Sequence, residues 1–407
     1  MWRKTQKTLA TLIPVTLLLV YLTVAVSLLN RWDTMVVVTL IPVWLWAGVG
    51  MAASLLCWLI CRGLPSLLLF CLCLATGVTF SEETAGIGRE LIVATRGTVA
   101  DGSGAATIRI VNVNCGGSES VLRRAMETQP DVLVIQEAPE TAVLEAVADQ
   151  LYGIERCVSS HRRNAILARG KLLGVLQDPA NATLHARVKR ADGFIIDITN
   201  LHLDGCAPSL KMWRPAVWKQ LIEARVANRR LVRAALGENE ITRSNIGRIV
   251  SGGFGTPPGD DVYRPLETNG LTDTYAASSL GLGNTYPSDY PTLRLDQIWV
   301  SPNLLPVQSF TRLNPEANHR IVVSEVQPPP PAAPANCPET RKLGRAPEAC
   351  RSPRSSNARS RNACAVSGCD FLSIAAMSAF VKPPGSTYTE HRLVTGTESC
   401  TSRKTPC

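Results

Sequence analysis

The amino-acid sequence predicts an α/β domain of two mixed β-sheets packed as a sandwich with outer helices, a four-layer architecture, preceded by N-terminal transmembrane helices. Three observations carry this expectation. Charged residues almost vanish before Phe80, where apolar residues crowd. From Ile108 to Val326, short runs rich in branched apolar residues alternate with stretches of helical spacing. Most of the polar segments suited to chemistry follow directly on one of those runs, so their side chains are expected at one rim of the sandwich.

Three apolar runs open the chain: Thr8 to Leu29, Met35 to Ile60 and Leu64 to Phe80. The first two are long enough for a helix to cross roughly 30 Å of hydrocarbon, and the third lies near the lower limit. Pro65 falls in the first turn of the third run, where its missing N–H has no partner to lose. The length of the first run, and the two that follow it, favour a retained helix over a cleaved signal peptide. Arg3, Lys4 and Lys7 precede the first helix and Arg62 lies between the second and third, whereas Arg31 is offset by Asp33. The positive-inside rule then sets the N-terminus in the cytoplasm, and three crossings deliver the remainder outside. A third run that stopped short of spanning would leave the domain cytoplasmic.

Residues 1–80 therefore read as a membrane segment, the polar and Gly-rich 81–104 as a linker, and 105–327 as the folded domain. Within the domain, strands are expected at Ile108 to Asn114, Val132 to Gln136, Ala165 to Ala168, Thr183 to Val188 and Phe194 to Leu201. Further strands are expected at Arg248 to Ser251, Gln297 to Ser301 and Ile321 to Val326. Helices are expected at Glu119 to Thr128, Glu140 to Leu151 and Pro215 to Leu236. The last is basic, with Arg225, Arg229, Arg230 and Arg233, and reads as a solvated outer helix. Residues 328–407, rich in Pro, Ser, Arg and Cys with no periodicity, read as a disordered tail.

The tail also explains the charge. From Gln327 onward the chain carries eleven Lys and Arg against five acids, so most of the formal charge of +9 lies there. The basic balance is no sign that the domain itself binds nucleic acid. The thirteen cysteines fall at no zinc-ligand spacing.

Five short segments concentrate the polar groups: Arg109 to Asn114, Pro130 to Glu137, Thr199 to Asp204, Ser251 to Gly259 together with Leu295 to Trp299, and Asn318 to Arg320. A strand ending in Gln136-Glu137 presents a carboxylate where a hard cation can use it, because Mg²⁺ takes few protein carboxylates and several waters. In this order and spacing the segments resemble the endonuclease/exonuclease/phosphatase superfamily, the deoxyribonuclease I-like fold, over about Ile108 to Val326. The resemblance is to bacterial members with N-terminal membrane helices, which implies a plasma or inner membrane with the domain on its extracytoplasmic side.

The resemblance implies Asn114 and Glu137 near a Mg²⁺ or Mn²⁺ ion, His202 at the scissile phosphate, and Asp296 orienting the catalytic His319. It also exposes departures. Where the family has Gly-Asp-Phe-Asn, this chain has Gly252-Gly253-Phe254-Gly255. Gly253 stands for the aspartate that helps activate water, and Gly255 for an asparagine that donates to the phosphate. Asn318 replaces an aspartate before the histidine. One lost base lowers the rate by about 10² to 10⁴, and one lost oxyanion donor by about 10² to 10³. Asp260 or Asp261, nearby in the same loop, is the candidate substitute for Gly253. The implied function is a membrane-anchored, metal-dependent phosphoester hydrolase by descent, impaired by these losses. The alternative is a pseudoenzyme that binds a phosphorylated ligand or a protein partner. The ligand class is a phosphate ester (nucleic acid, phospholipid head group or small molecule), and the sequence defines no protein partner.

Overall fold

Five helical segments precede the first strand: α1 (Trp2–Asn30), α2 (Val36–Leu40), α3 (Val43–Cys61), α4 (Leu64–Phe80) and α5 (Glu82–Arg96). The computed structural model describes residues 2–96, 107–177, 183–205, 208–237 and 246–328; the expected disordered tail lies, after its first residue, outside the described residues. Leu12–Asn30 and Val43–Ile60 are long and apolar enough to cross a membrane; Leu64–Phe80 joins them only as part of a pair with Glu82–Val93, bent by 68°. The single helix expected from Met35 to Ile60 is corrected. Ile41 is extended, at φ −90° and ψ 125°, and the chain restarts as α3 after Pro42. Proline disfavours the helical conformation in the residue before it, so the break falls there. Within the 81–104 stretch, Glu82–Arg96 is helical.

The remainder follows as β1 (Ile108–Asn114), α6 (Glu119–Met126), β2 (Val132–Gln136), α7 (Thr141–Tyr152), β3 (Arg156–His161), β4 (Asn164–Arg169), β5 (Lys171–Gln177), β6 (Thr183–Lys189), β7 (Ile195–His202), α8 (Pro215–Leu236) and β8 (Ile246–Gly253). Then come α9 (Arg264–Thr268), β9 (Thr272–Asp273), α10 (Thr274–Ser278), β10 (Asp296–Val300), β11 (Leu305–Arg312) and β12 (Ile321–Gln327). Two six-stranded sheets result, ordered β11-β12-β1-β2-β4-β3 and β5-β6-β7-β8-β10-β9. Both are mixed: β1 runs parallel to β2 and β7 parallel to β8, while their other pairings are antiparallel.

Period-two alternation in the strands builds three apolar layers. Ile108, Ile110, Val132, Val134, Ile166, Leu184, Ile196, Ile198, Ile249 and Ile298 face inward and fuse the sheets. The opposite face of the first sheet, with Val111, Val113, Leu133, Ile135 and Val323, is covered by α6 and α7. The opposite face of the second, with Leu201, Val250 and Trp299, is covered by α8 and the α9 region. The order helix, sheet, sheet, helix gives the four layers expected.

The basic helix α8 departs from the solvated surface expected of it. Arg225 is buried and meets the equally buried Asp260 at 2.5 Å, with Thr39 from the α2 segment bonded to both. Arg229 joins Asp33, at 2.8 Å, to Asp261. Val36, Val37, Leu40 and Ile41 pack on Met212, Trp218, Leu221 and Ile222 beside these pairs. Only Arg230 and Arg233 of the four arginines stay exposed. The helix is basic because it answers acids from the α1–α3 connection and from the 260–261 turn.

Candidate active site

The inward face of the sandwich changes character along its length. Following alternate residues, β1 passes from Ile108 and Ile110 to Asn112 and Asn114, and β2 from Val134 to Gln136. Likewise β7 passes from Ile198 to Asn200 and His202, β8 from Ile249 to Ser251 and Gly253, and β10, running the other way, from Ile298 to Asp296. The same face that fuses the sheets at one end thus presents polar groups at the other. Fully buried amides tie the sheets at the transition. Gln136 Nε2 donates to Asn112 Oδ1 and to Asn200 Oδ1, both at 2.9 Å, and Asn200 Nδ2 donates to the Ile135 carbonyl at 2.7 Å.

Strand register sets the next row. His202 pairs across with Gly253, and Gly253 with Asp296, so the glycine stands between the histidine and the aspartate. His319 enters from the segment before β12, its Nδ1 at 2.7 Å from Asp296 Oδ2. Thr285 aligns these two elements. Its Oγ1 accepts from the Leu295 and Asp296 N–H groups at 3.1 and 3.3 Å, and its carbonyl accepts from Arg320 N–H at 2.8 Å. Tyr286 packs its ring on His319 with centroids 5.0 Å apart.

Glu137 caps the end of β2 in a left-handed conformation, φ 47°, uncommon outside glycine and often found at functional positions. Its Oε1 accepts from Asn114 Nδ2 at 3.1 Å and lies 4.0 Å from His202 Nε2; its Oε2 accepts from Arg163 at 3.1 Å. Asn114, Glu137, Tyr286, Asn318 and His319 line one cleft of about 420 Å³, with Asp289 and Glu316 exposed at its rim. All five side chains read from the sequence, Asn114, Glu137, His202, Asp296 and His319, therefore meet at this end of the sandwich. Tyr286, Asp289 and Glu316 escaped the sequence reading because they come from loops whose periodicity says nothing about what they face.

The two histidines are driven in opposite directions. Burial pushes His202 below the ordinary histidine value, more strongly than the charges of Glu137 and Asp296 lift it. Burial also lowers His319, but the Asp296 charge and hydrogen bond, helped by Glu137, outweigh it and leave the ring raised. Separated titrations at neighbouring groups suit an acid and base division of labour. The buried Cys115 thiol beside Glu137 is pushed up to about 12 by burial and by the Glu137 charge, so it stays protonated and is no nucleophile.

The substituted positions have distinct surroundings. A Cβ on Gly253 would lie 3.5 Å from Asp296 Oδ1 and 3.7 Å from His202 Cδ2, ordinary contact distances with room for a side chain. Asp296 Oδ1 is itself buried and has no hydrogen-bond partner. At Gly255, φ is 65° and a Cβ would fall 2.5 Å from the Gly205 Cα, so the backbone has closed over the position. Asn318 is exposed on the cleft wall. Asp260 and Asp261, the candidate substitutes, are committed to Arg225 and to Arg229 and Arg264, which removes them from consideration.

Among the described residues no three His, Cys, Asp or Glu side chains converge as a metal cluster. Glu137 presents a carboxylate at the cleft, beside Asp289 and Glu316 of its lining, with the Asn114 amide N–H turned onto it. Mg²⁺ takes few protein carboxylates, keeps several waters and can lean on a substrate phosphate, a demand that one carboxylate meets.

Residues 111–325, more than half of the chain, match the pattern of the Endonuclease/Exonuclease/phosphatase family. Members of that family commonly use divalent metals. Among solved structures, one similar protein is an endonuclease/exonuclease/phosphatase family protein from Bacteroides thetaiotaomicron, at 16% identity and TM-score 0.41, covering 55% of this chain and 98% of that one. A mannosyl-6-phosphatase of the same organism is similar at 16% identity and TM-score 0.41, over 54% and 99% of the two chains. A family protein from Beutenbergia cavernae follows at 15% identity and TM-score 0.40, over 55% and 72%. No curated protein matches the chain.

Proposed function

This chain belongs to the Endonuclease/Exonuclease/phosphatase family, and from that premise we propose that it is a membrane-anchored phosphoesterase by descent that still binds phosphate esters but hydrolyses them poorly. One observation carries the reading. In the row His202, Gly253, Asp296 the central position is bare, with room for a side chain at ordinary contact distance from both neighbours. The group expected to orient attacking water is missing, while Asn114, Glu137, His202, Asp296 and His319 still meet around its place.

What remains supports binding. Raised His319, held by Asp296, and Arg163 supply positive charge at the cleft, and neutral His202 supplies a donor or acceptor according to tautomer. His319 is the residue suited to hand a proton to a departing oxygen, and Asp296 holds its ring. Glu137, with Asn114, would hold a Mg²⁺ or Mn²⁺ ion, which would supply Lewis-acid charge to the phosphate. The closed backbone at Gly255 favours a second reading, a pseudoenzyme that only binds, because the phosphate donor cannot simply be put back.

Bonding between the domain and the helices supports three crossings. Arg31 meets Glu267, Asp33 meets Arg229, and Glu82 meets Arg294, so the end of α1 and the end of α4 lie on the domain side. A chain that returns to that side after α3 must cross again in α4. Arg3, Lys4, Lys7 and Arg62 then fall at the opposite end, which by the positive-inside rule makes the domain extracytoplasmic.

Phosphatase and phosphodiesterase assays of the full chain in Mg²⁺ or Mn²⁺ test the reading, beside Gly253→Asp combined with Asn318→Asp. The restored protein is expected to exceed the parent by about 10² or more, and His319→Ala to abolish the gain. A parent as active as its restored variant would refute impairment. No activity in either, with phosphate-ester binding retained, would select the pseudoenzyme.

A further inference from the structure

A second cavity, of about 520 Å³, lies where the domain meets the outer ends of the apolar helices, and it shares no lining residue with the catalytic cleft. Its two walls differ in kind. Ala25, Leu28 and Leu29 of α1 and Phe80 of α4 give an apolar side, with Leu29 and Phe80 largely exposed. The other side is ionic: Arg31 paired to Glu267, Arg294 paired to Glu82 and Asp273, and Glu83. Arg31 holds Glu267, and Arg294 holds Asp273 and Glu82, whose carboxyl is pushed by burial toward the neutral form, so the surplus negative charge around this space, open to the helix surface, rests on Glu83 beside those pairs.

We propose that this cavity binds one phospholipid whose head group carries an ammonium, of the ethanolamine type. Its ammonium meets Glu83 and Glu267, its phosphate takes the place of Glu267 on Arg31, and its acyl chains follow α1 and α4 into the bilayer. The volume lies within the range of small-molecule sites and suits a head group and glycerol, not whole acyl chains. An acidic lipid brings no cation to answer the excess carboxylates, and a lipid without a charged head leaves them unanswered. The proposal rests on the membrane reading above. It also gives the bilayer a contact with Pro257, Pro258 and Gly259, the loop that continues from Gly255 of the site.

The test uses the full chain in lipid nanodiscs of phosphatidylglycerol containing a small fraction of phosphatidylethanolamine with a photoreactive acyl chain. After photolysis, adducts are expected to concentrate on peptides containing Leu28, Leu29 and Phe80. Unlabelled phosphatidylethanolamine should compete about tenfold better than phosphatidylglycerol, the ratio of one charge-assisted contact. Glu83→Gln with Glu267→Gln should remove that preference while the protein still enters the discs. Adducts spread evenly along α1, α3 and α4, or equal competition by both lipids, would overturn the proposal. A chain that stays out of the discs altogether would instead defeat the membrane reading, and this inference with it.

Discussion

Two regions of this molecule handle buried charge in opposite ways. Where the α1–α3 connection meets α8, every acid has an answering base: Asp260 with Arg225, Asp261 with Arg229 and Arg264, and Asp33 with Arg229. At the cleft, Asp296 is just as deeply buried, yet one of its oxygens has no partner and the neighbouring position is a glycine. Burying an unpaired polar atom costs roughly 1–3 kcal/mol. At the junction each carboxylate is held in an ion pair, with only Arg225 Nε and Asp261 Oδ1 lacking a hydrogen bond, whereas the cleft retains a carboxylate oxygen of the kind that active sites keep for a ligand. The contrast teaches that the domain is tied to the apolar helices by ion pairs, while the cleft keeps a carboxylate oxygen that no protein group answers.

The contrast can be broken most forcefully at the junction. Arg225→Met leaves the Asp260 carboxylate buried and uncompensated and should destabilise the protein by about 3–5 kcal/mol. Asp260→Asn in the same chain should recover much of the loss, because no charge is then left buried. Thermal unfolding in detergent reads both variants. If Arg225→Met were as stable as the parent, the junction would be no more than a contact.

A smaller effect is expected at the closed part of the cleft. Gly255→Asn forces a side chain into a left-handed position against the Gly205 backbone and should lower stability by about 1–3 kcal/mol. A neutral result in the same unfolding measurement would mean that the loop opens readily, and would favour a recoverable enzyme over a pseudoenzyme.

The smallest effect concerns pH. The folded-state value of His319 is raised, so its contribution to stability is fully present below the unfolded value and is lost as pH rises through the folded one. His202 is lowered, so its contribution holds at higher pH and is lost as pH falls through its folded value. Proton NMR of the two rings should show His319 titrating above His202, and Asp296→Asn should move His319 downward. Coincident titrations, or a His319 indifferent to Asp296→Asn, would remove the dyad from the site.

Legibility in the sequence followed the number of neighbours an element has. The eight strands expected from the sequence are all present, and all eight lie between two others; β4, β8 and β12 run somewhat longer than their apolar cores suggested. The strands not expected, β3, β5, β9 and β11, are the four edges of the two sheets. An edge strand has one hydrogen-bonded neighbour and tolerates what an inner strand cannot, such as Gly174 in β5 or Pro306 in β11. Its pattern is correspondingly faint. The same logic applies to helix α8, whose arginines looked like a wet face because the acids that bury them come from residues up to 196 positions away in the chain.

By itself the sequence determined the four-layer α/β class, the apolar helices ahead of it, and the identity of the polar groups at the strand ends, because alternation and helical spacing are local and survive without coordinates. Only the tertiary structure decided that Gly253 stands between His202 and Asp296, that Gly255 cannot readily take a side chain, and that Asp260 and Asp261 serve the junction and not the cleft. Register, backbone approach and ion pairing join residues far apart in the chain, and no local pattern encodes which distant partner each will meet.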